Sequence, residues 1–236
     1  MEKFSENYRL TYNMIDRFDR LSLCAMMDLF QDVASLHAIK DHNSFNELKQ
    51  KQLFWVVTRM KVMILENDFN LDLVKAITWH NKSTRFDVNR QLLILQDEKE
   101  KVRISSKWVV IDAKSRKPSS MQDVFKNEVY DTLEYAKLKK ISPFEKDFQQ
   151  DYSFVVEASM IDRNLHMNNS QYAIVICNAL KLAASEVIKS FEIDFLKELK
   201  YLEVANIRFF KAAKTIYIEI YSGVNIINAR AIIELK

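Results

Sequence analysis

Met160-Ile161-Asp162-Arg163-Asn164-Leu165-His166-Met167-Asn168-Asn169 lies between an extended run, Tyr152 to Glu157, and a long apolar helical stretch. Asp162, Asn164 and His166 alternate, so an extended backbone would carry all three side chains to one side. A carboxylate, an amide and an imidazole then meet beside a helix N-terminus. Unpaired N–H groups and the positive end of the helix dipole favour developing negative charge there. Such a set can attack a carbonyl and hold the resulting oxyanion. Asn168 or Asn169 is the expected N-cap of the helix.

The first half of the chain contains a control. Met14-Ile15-Asp16-Arg17 repeats Met160-Ile161-Asp162-Arg163, again between an extended run (Glu6 to Thr11) and an apolar helix from Leu21. The shared order of strand, turn and helix points to a duplicated domain. In this register Phe18 stands opposite Asn164, and Arg20 opposite His166. The Asp is common to both copies, whereas the Asn and His occur in the second alone. The second copy is therefore the one expected to carry chemistry.

Outward from these turns, Leu21 to Lys40 reads as a helix with apolar residues on several faces, which predicts an enclosed helix. Leu53–Leu65, Val74–His80, Arg85–Gln96 and Val102–Ile111 are rich in β-branched and aromatic residues and read as strands. One enclosed helix followed by an antiparallel meander suits a sheet curled around a helix. Between about 116 and 150 the chain turns polar, with helical patches over Met121–Lys140 and linker character at Ser142-Pro143. The second copy repeats the order: strand Tyr152–Glu157, helix Asn169–Ser190, then strands Tyr201–Phe210, Thr215–Tyr221 and Asn225–Leu235. Ser222-Gly223 fits a hairpin turn. The expected division is 1–120, a linker over 121–150, and 151–236.

A length of 236 residues suits two domains. No apolar run reaches the roughly 18 to 20 residues of a membrane span. Met1 to Glu6 lacks the apolar core of a signal peptide, and a reducing cytoplasm is the expected location. A net charge of +3 gives no reason to expect nucleic acid. Cys24 and Cys177 have no metal or redox spacing and read as packing residues. His37, His42 and His80 lack partners at metal-ligand spacing, so no metal is expected. Neither Ser170 nor Cys177 sits in a nucleophile elbow, and no Gly-rich phosphate loop occurs. Trp55, Trp79 and Trp108 lie on strands and are expected in the core. Lys137-Leu138-Lys139-Lys140 and Arg208 to Lys214 read as solvated charge. With one Gly and two Pro, turns must use Asn, Asp, Ser and Lys.

Asp162-x-Asn164-x-His166-x-Asn168-Asn169 resembles the signature of acyl-[acyl-carrier-protein] thioesterases, a plant and bacterial family with two hot-dog domains in one chain. The likeness continues along the chain. Asn7 to Asp19 resembles the family's opening strand and turn. Leu29 to Ser35 with His37-Ala38 resembles its first central helix. Trp55 to Arg59, Ile77 to Trp79, Ser106 to Asp112 and Arg116-Lys117-Pro118 resemble its later strands and the turn after them. The resemblance implies an α+β fold of two tandem hot-dog domains, each an antiparallel sheet wrapped around a central helix. It implies cofactor-free hydrolysis of fatty acyl thioesters of acyl carrier protein. The first domain would hold the acyl chain, with Met26, Met27, Leu29 and Phe30 offered to it. The second would be catalytic. Asp162 would attack the carbonyl or activate water, Asn164 would hold that carboxylate or the substrate, and His166 would orient and polarise the reacting groups. Acyl-coenzyme A as substrate, a non-catalytic acyl-binding protein and a homodimer stay open.

Two departures stand out. Leu165 occupies a place where the family usually has Gly, so a re-shaped turn is expected. The family also often has a Glu near the end of the strand after the central helix. In the register above that place falls at Ile207 to Ala212, with no acid, and Glu203 and Glu186 lie elsewhere. An incomplete catalytic set is the expectation.

Overall fold

The computed structural model describes residues 3–125, 131–145, 148 and 150–236. In chain order the elements are β1 (Phe4–Arg9), α1 (Leu23–Lys40), α2 (Phe45–Gln50), β2 (Leu53–Ile64), β3 (Leu73–His80), β4 (Asp87–Gln96) and β5 (Lys99–Asp112). Then follow β6 (Gln150–Val155), α3 (Asn169–Leu180), β7 (Ile188–Phe195), β8 (Val204–Ala212), β9 (Thr215–Ser222) and β10 (Ile226–Leu235). All ten strands form one antiparallel sheet in the order β1-β3-β4-β5-β2-β7-β10-β9-β8-β6. Read from its two edges inward, each half has the same connectivity: first strand, then the third, fourth and fifth, then the second. β2 and β7 join the halves, with Arg59 opposite Asp194 and Met63 opposite Ser190. The duplication is thus written in the topology as well as in the repeated tetrapeptide.

Each half wraps its sheet around one helix that is apolar on most sides, with Asp28, Gln31, Asp32 and Ser35 forming the one polar stripe of α1. In α1, Met26, Met27, Leu29, Phe30 and Val33 are all buried. In α3, Tyr172, Ala173, Val175 and Ile176 are buried. The helices pack on each other, and one apolar core runs through both halves. Ser22 caps α1 by accepting from the Ala25 N–H (3.1 Å), and Asn168 caps α3 by accepting from the Ser170 N–H (3.1 Å). Among the described residues no helix is long and apolar enough to cross a membrane.

The expected helix Asn169–Ser190 ends ten residues early. Lys181 takes the left-handed conformation (φ 49°, ψ 42°) and closes α3. Glu186 then ties a turn by accepting from the Ala183 N–H at 2.9 Å. Ile188 onward becomes β7, paired with β2 on one side and β10 on the other. Leu182-Ala183-Ala184-Ser185 is good helix sequence, but it is taken up in the turn that lets Ile188 to Phe195 pair with two strands. This correction moves every later element of the second half by one strand.

The stretch 131–141, expected as helical patches and linker, is neither helical nor loose. It lies across the first-half sheet, stitched by side chains. Gln91 accepts from the Tyr135 N–H (3.2 Å), Ser105 from the Ala136 N–H (3.2 Å) and Asp194 from the Ile141 N–H (2.8 Å). Residues 126–130, within the expected helical patches, lie outside the described residues, as do 146, 147 and 149.

Candidate active site

Asp162, Asn164 and His166 do come together, but not on an extended backbone. Residues 161–167 form a tight turn closed by a bridge between Ile161 and Met167. The Asp162 N–H donates to the His166 carbonyl (2.9 Å). Oδ1 of Asp162 accepts from the backbone N–H of Asn164 (2.8 Å) and of His166 (3.4 Å). The alternation predicted the convergence; the Asp-centred turn produces it. Leu165 does not re-shape that turn. It takes φ 65°, left-handed, with its side chain 75 % exposed.

The first copy builds the same turn. Asp16 N–H donates to the Arg20 carbonyl (2.7 Å), and Asp16 Oδ1 accepts from the N–H groups of Phe18 (2.8 Å) and Arg20 (3.1 Å). Asp19 stands at the left-handed place with φ 57°. One oxygen of the shared Asp is therefore a structural acceptor in both copies. The shared Arg also has a structural use. Arg17 donates to the Leu182 carbonyl (2.8 Å) behind α3. Arg163 donates to Asn46 Oδ1 (3.3 Å) and covers the Phe45 ring at 4.1 Å, behind α1. Each turn thus buttresses the other half, which accounts for the duplicated tetrapeptide.

The second copy differs where its unshared residues point. Asp162, Asn164 and His166 all line one cavity of about 1100 Å³. Asp162 Oδ2 and the Asn164 amide make no hydrogen bond to described residues. His166 directs Nε2 at Oε2 of Glu198, 2.9 Å away. A carboxylate can only accept, so Nε2 carries the proton. In the first copy Arg20, at the place of His166, instead donates to the Ala184 carbonyl at 2.5 Å.

Glu198 is the acid the sequence reading did not find. It follows β7, the strand after the central helix, three residues past Phe195. The register error came from extending α3 over β7, which put Ile207–Ala212 at the wrong strand. A signal was present: Ile188 to Phe195 is a compact β-branched and aromatic run after the polar break at Ser185-Glu186. Neither alternative acid serves. Glu203 accepts from the Lys200 N–H (3.0 Å), and Glu186 binds Lys211 and the Ala183 N–H. Oε2 of Glu198 also receives Arg116 from the first half at 2.6 Å.

The cavity runs from these polar groups toward α1 and the first-half sheet. Its apolar wall includes Ala34, Ala38, Val57, Val88 and Trp108. Met26, Met27, Leu29 and Phe30, expected to face an acyl chain, do not line it; they are buried in the core on the other sides of α1. The expected core placement holds for Trp79, 3 % exposed, whereas Trp55 and Trp108 line the cavity edge to face, 6.1 Å apart. Burial pushes the Cys24 thiol up to about 12 and the Cys177 thiol up to about 11, so both stay protonated and unreactive at neutral pH. The basic run from Arg208 is not merely solvated, since Arg208 pairs with buried Glu219 at 2.6 Å.

Comparison with known proteins agrees with this architecture. Residues 1–129 match the family described as acyl-ACP thioesterase N-terminal domain, and residues 142–226 match its C-terminal domain. The chloroplastic palmitoyl-acyl carrier protein thioesterase of Arabidopsis thaliana is 24% identical over 214 residues, covering 83% of this chain and 52% of that protein. The Cuphea hookeriana protein of the same name is 28% identical over 134 residues, covering 53% of this chain and 32% of its own. The chain thus spans about half the length of the first of these plant relatives, and the match to the second spans about a third of it. Among solved structures, an acyl-ACP thioesterase from Bacteroides thetaiotaomicron superposes with a TM-score of 0.85 at 18% identity, over 98% of this chain and 97% of that one. The 12:0-ACP thioesterase from Umbellularia californica gives the same score and identity over 99% and 97%. The double hot-dog fold expected from the sequence is the fold observed, and the chain belongs to the acyl-ACP thioesterase family.

Proposed function

We propose that this protein hydrolyses fatty acyl thioesters of acyl carrier protein, releasing the free fatty acid and the carrier thiol. Family membership supports the reaction class. The observation that carries the assignment to this site is the His166–Glu198 pair, 2.9 Å apart, standing with Asp162 and Asn164 on the wall of one cavity that also presents apolar residues such as Val57, Val88 and Trp108. The second half supplies the chemistry, and the first half supplies most of the wall for the acyl chain.

The reaction consumes water and needs no cofactor. Asp162 Oδ2, the carboxylate oxygen not used by the turn, takes a proton from water as the water oxygen adds to the thioester carbonyl. The Asn164 amide and the N–H groups at the start of α3 stabilise the tetrahedral oxyanion. Its collapse breaks the C–S bond. His166, its Nε2 proton held by Glu198, takes the proton from Asp162 on Nδ1 and passes it to the departing thiolate, so both groups return to their starting state. Two carboxylates in different surroundings divide the work.

The test is a panel of acyl-carrier thioesters of different chain lengths, matched with the same acyl groups on coenzyme A, and a thiol-trapping readout. Turnover should favour the carrier substrates. His166→Ala and Glu198→Gln should each lower kcat by about 10²- to 10⁴-fold in a folded protein. Equal turnover of both thiols moves the assignment to a general acyl thioesterase. No turnover on any substrate leaves an acyl-binding protein.

A further inference from the structure

Glu198 has a second partner that comes from the other half of the molecule. Arg116 sits in the turn after β5, and its Nη2 donates to Oε2 of Glu198 at 2.6 Å. That oxygen also faces His166 Nε2, so both donors converge on Oε2 while Oε1 makes no hydrogen bond to described residues. The guanidinium is held on its other side by the Phe54 ring, 5.2 Å away. The turn itself is pinned. Asp112 Oδ1 accepts from the Ser115 N–H (2.6 Å), and the Asp112 carbonyl accepts from the Arg116 N–H (2.9 Å). A half-exposed ion pair of this kind does little for stability. It can still orient a carboxylate, because a guanidinium held by a ring and a pinned turn offers its N–H from a fixed direction.

We propose that Arg116 is a positioning residue: it holds Glu198 rotated so that Oε2 orients His166, with Oε1 left out of both contacts. The working site is therefore composite, with its acid–base pair from the second half aimed by a cation from the first. This rests on the catalytic reading of the His166–Glu198 pair. The role is indirect, since Arg116 acts through Glu198 and not on the thioester. Its loss should appear in kcat, leaving KM nearly unchanged. Misdirecting an active-site group by about 1 Å can cost on the order of 10²-fold, so Arg116→Ala should lower kcat by about 10- to 100-fold.

The experiment compares steady-state kinetics of the wild type, Arg116→Ala, Arg116→Gln, Arg116→Lys, Glu198→Gln and the Arg116→Ala/Glu198→Gln double variant on one acyl-carrier substrate, with thermal melting of each. The expected pattern has three parts. The Ala and Gln variants lose kcat at near-wild-type melting temperature, Lys recovers part of the loss, and Arg116→Ala adds almost nothing once Glu198 is Gln. A rise in KM with kcat intact would make Arg116 a substrate-binding residue and overturn the proposal. So would full additivity with Glu198→Gln, or a loss that follows melting temperature alone. Failure of the wild type to release thiol from any acyl-carrier substrate would overturn the functional reading and this inference together; normal kcat in folded Arg116→Ala would overturn the inference only.

Discussion

At the scale of single residues, the two copies of Asp-Arg separate structure from chemistry. Removing the Asp162 side chain also removes the acceptor of the Asn164 and His166 N–H groups. Asp162→Ala therefore mixes a collapsed turn with loss of the proposed base, and Asp162→Asn is the cleaner probe because an amide oxygen can still accept those bonds. We expect Asp162→Asn to keep the melting temperature and lose about 10²- to 10⁴-fold in kcat. Asp16→Ala should measure the turn alone, costing about 1 to 2 kcal/mol, as loss of a comparable cap does, with little change in kcat. A folded Asp162→Asn enzyme with normal turnover would leave Asp162 a turn builder in both halves. His37 gives a second prediction at this scale. Arg90 can only donate, so its 2.9 Å contact requires an unprotonated Nδ1, and Nε2 then donates to Asp41 (3.2 Å). The ring packs against Phe4 and His80, with Lys40 nearby. Burial first, then the Arg90 charge, push His37 down to about 3. The unfolded chain takes up this proton below its ordinary 6.5 and the folded chain does not. Stability from this group is thus complete above pH 6.5 and falls as pH drops toward 3, by about 1.4 kcal/mol per unit. Urea titrations between about pH 4 and 6.5 should show that slope in the wild type and its flattening in His37→Gln.

At the scale of elements, what the sequence made legible follows from what is local. α1, β2 to β5, β9 and β10 were readable because enclosed helices and buried strands carry dense apolar runs. The turn at Asp162 was readable because its residues are contiguous and have an internal control at Asp16. β7 was missed, because its short run follows closely on the helix-favouring Leu182 to Ala184 and the polar break between them, Ser185-Glu186, is only two residues long, although β2 and β10 pair with it on both sides. Losing β7 also lost Glu198, so one misplaced boundary carried through to the chemistry. The same junction explains the packed stretch 131–141. Asp194 on β7, its side chain 1% exposed, binds Arg59 on β2 through both oxygens and also accepts the Ile141 N–H. One carboxylate thus clamps the two halves and the crossing segment. Asp194→Ala would leave the Arg59 charge mostly buried, and should cost about 3 to 5 kcal/mol in chemical denaturation. A loss under about 1 kcal/mol would show that the joint is held by β2–β7 backbone pairing and core packing alone.

At the scale of the whole molecule, the shortage of glycine has a structural consequence. One Gly serves 236 residues, and it stands at φ 51° in the β9–β10 hairpin. Eleven other described residues also adopt positive φ without being glycine. Left-handed backbone costs an L-residue about 1 to 2 kcal/mol, less where Asn or Asp occupies it. The chain therefore carries this strain at turns spread over both halves rather than at one functional point, so Leu165 or Arg116 having positive φ is not by itself a mark of function. Glu98, Lys181, Leu202 and Ala213 are the informative subset (φ 58°, 49°, 63° and 52°), since none lines the cavity. Asp97 and Glu98 form a two-residue hairpin loop with both φ positive, where Asp-Gly is the favoured pair. Glu98→Gly, Lys181→Gly, Leu202→Gly and Ala213→Gly should each add roughly 0.5 to 1 kcal/mol, the gain in φ outweighing the entropy glycine loses on folding. Because the four sites lie in separate turns, the gains should add, and the quadruple variant should melt higher with an unchanged kcat. If it melts no higher, these turns are relaxed in a way that left-handed sterics do not capture. If it melts higher but turns over more slowly, strain distributed through the turns would be coupled to the site after all.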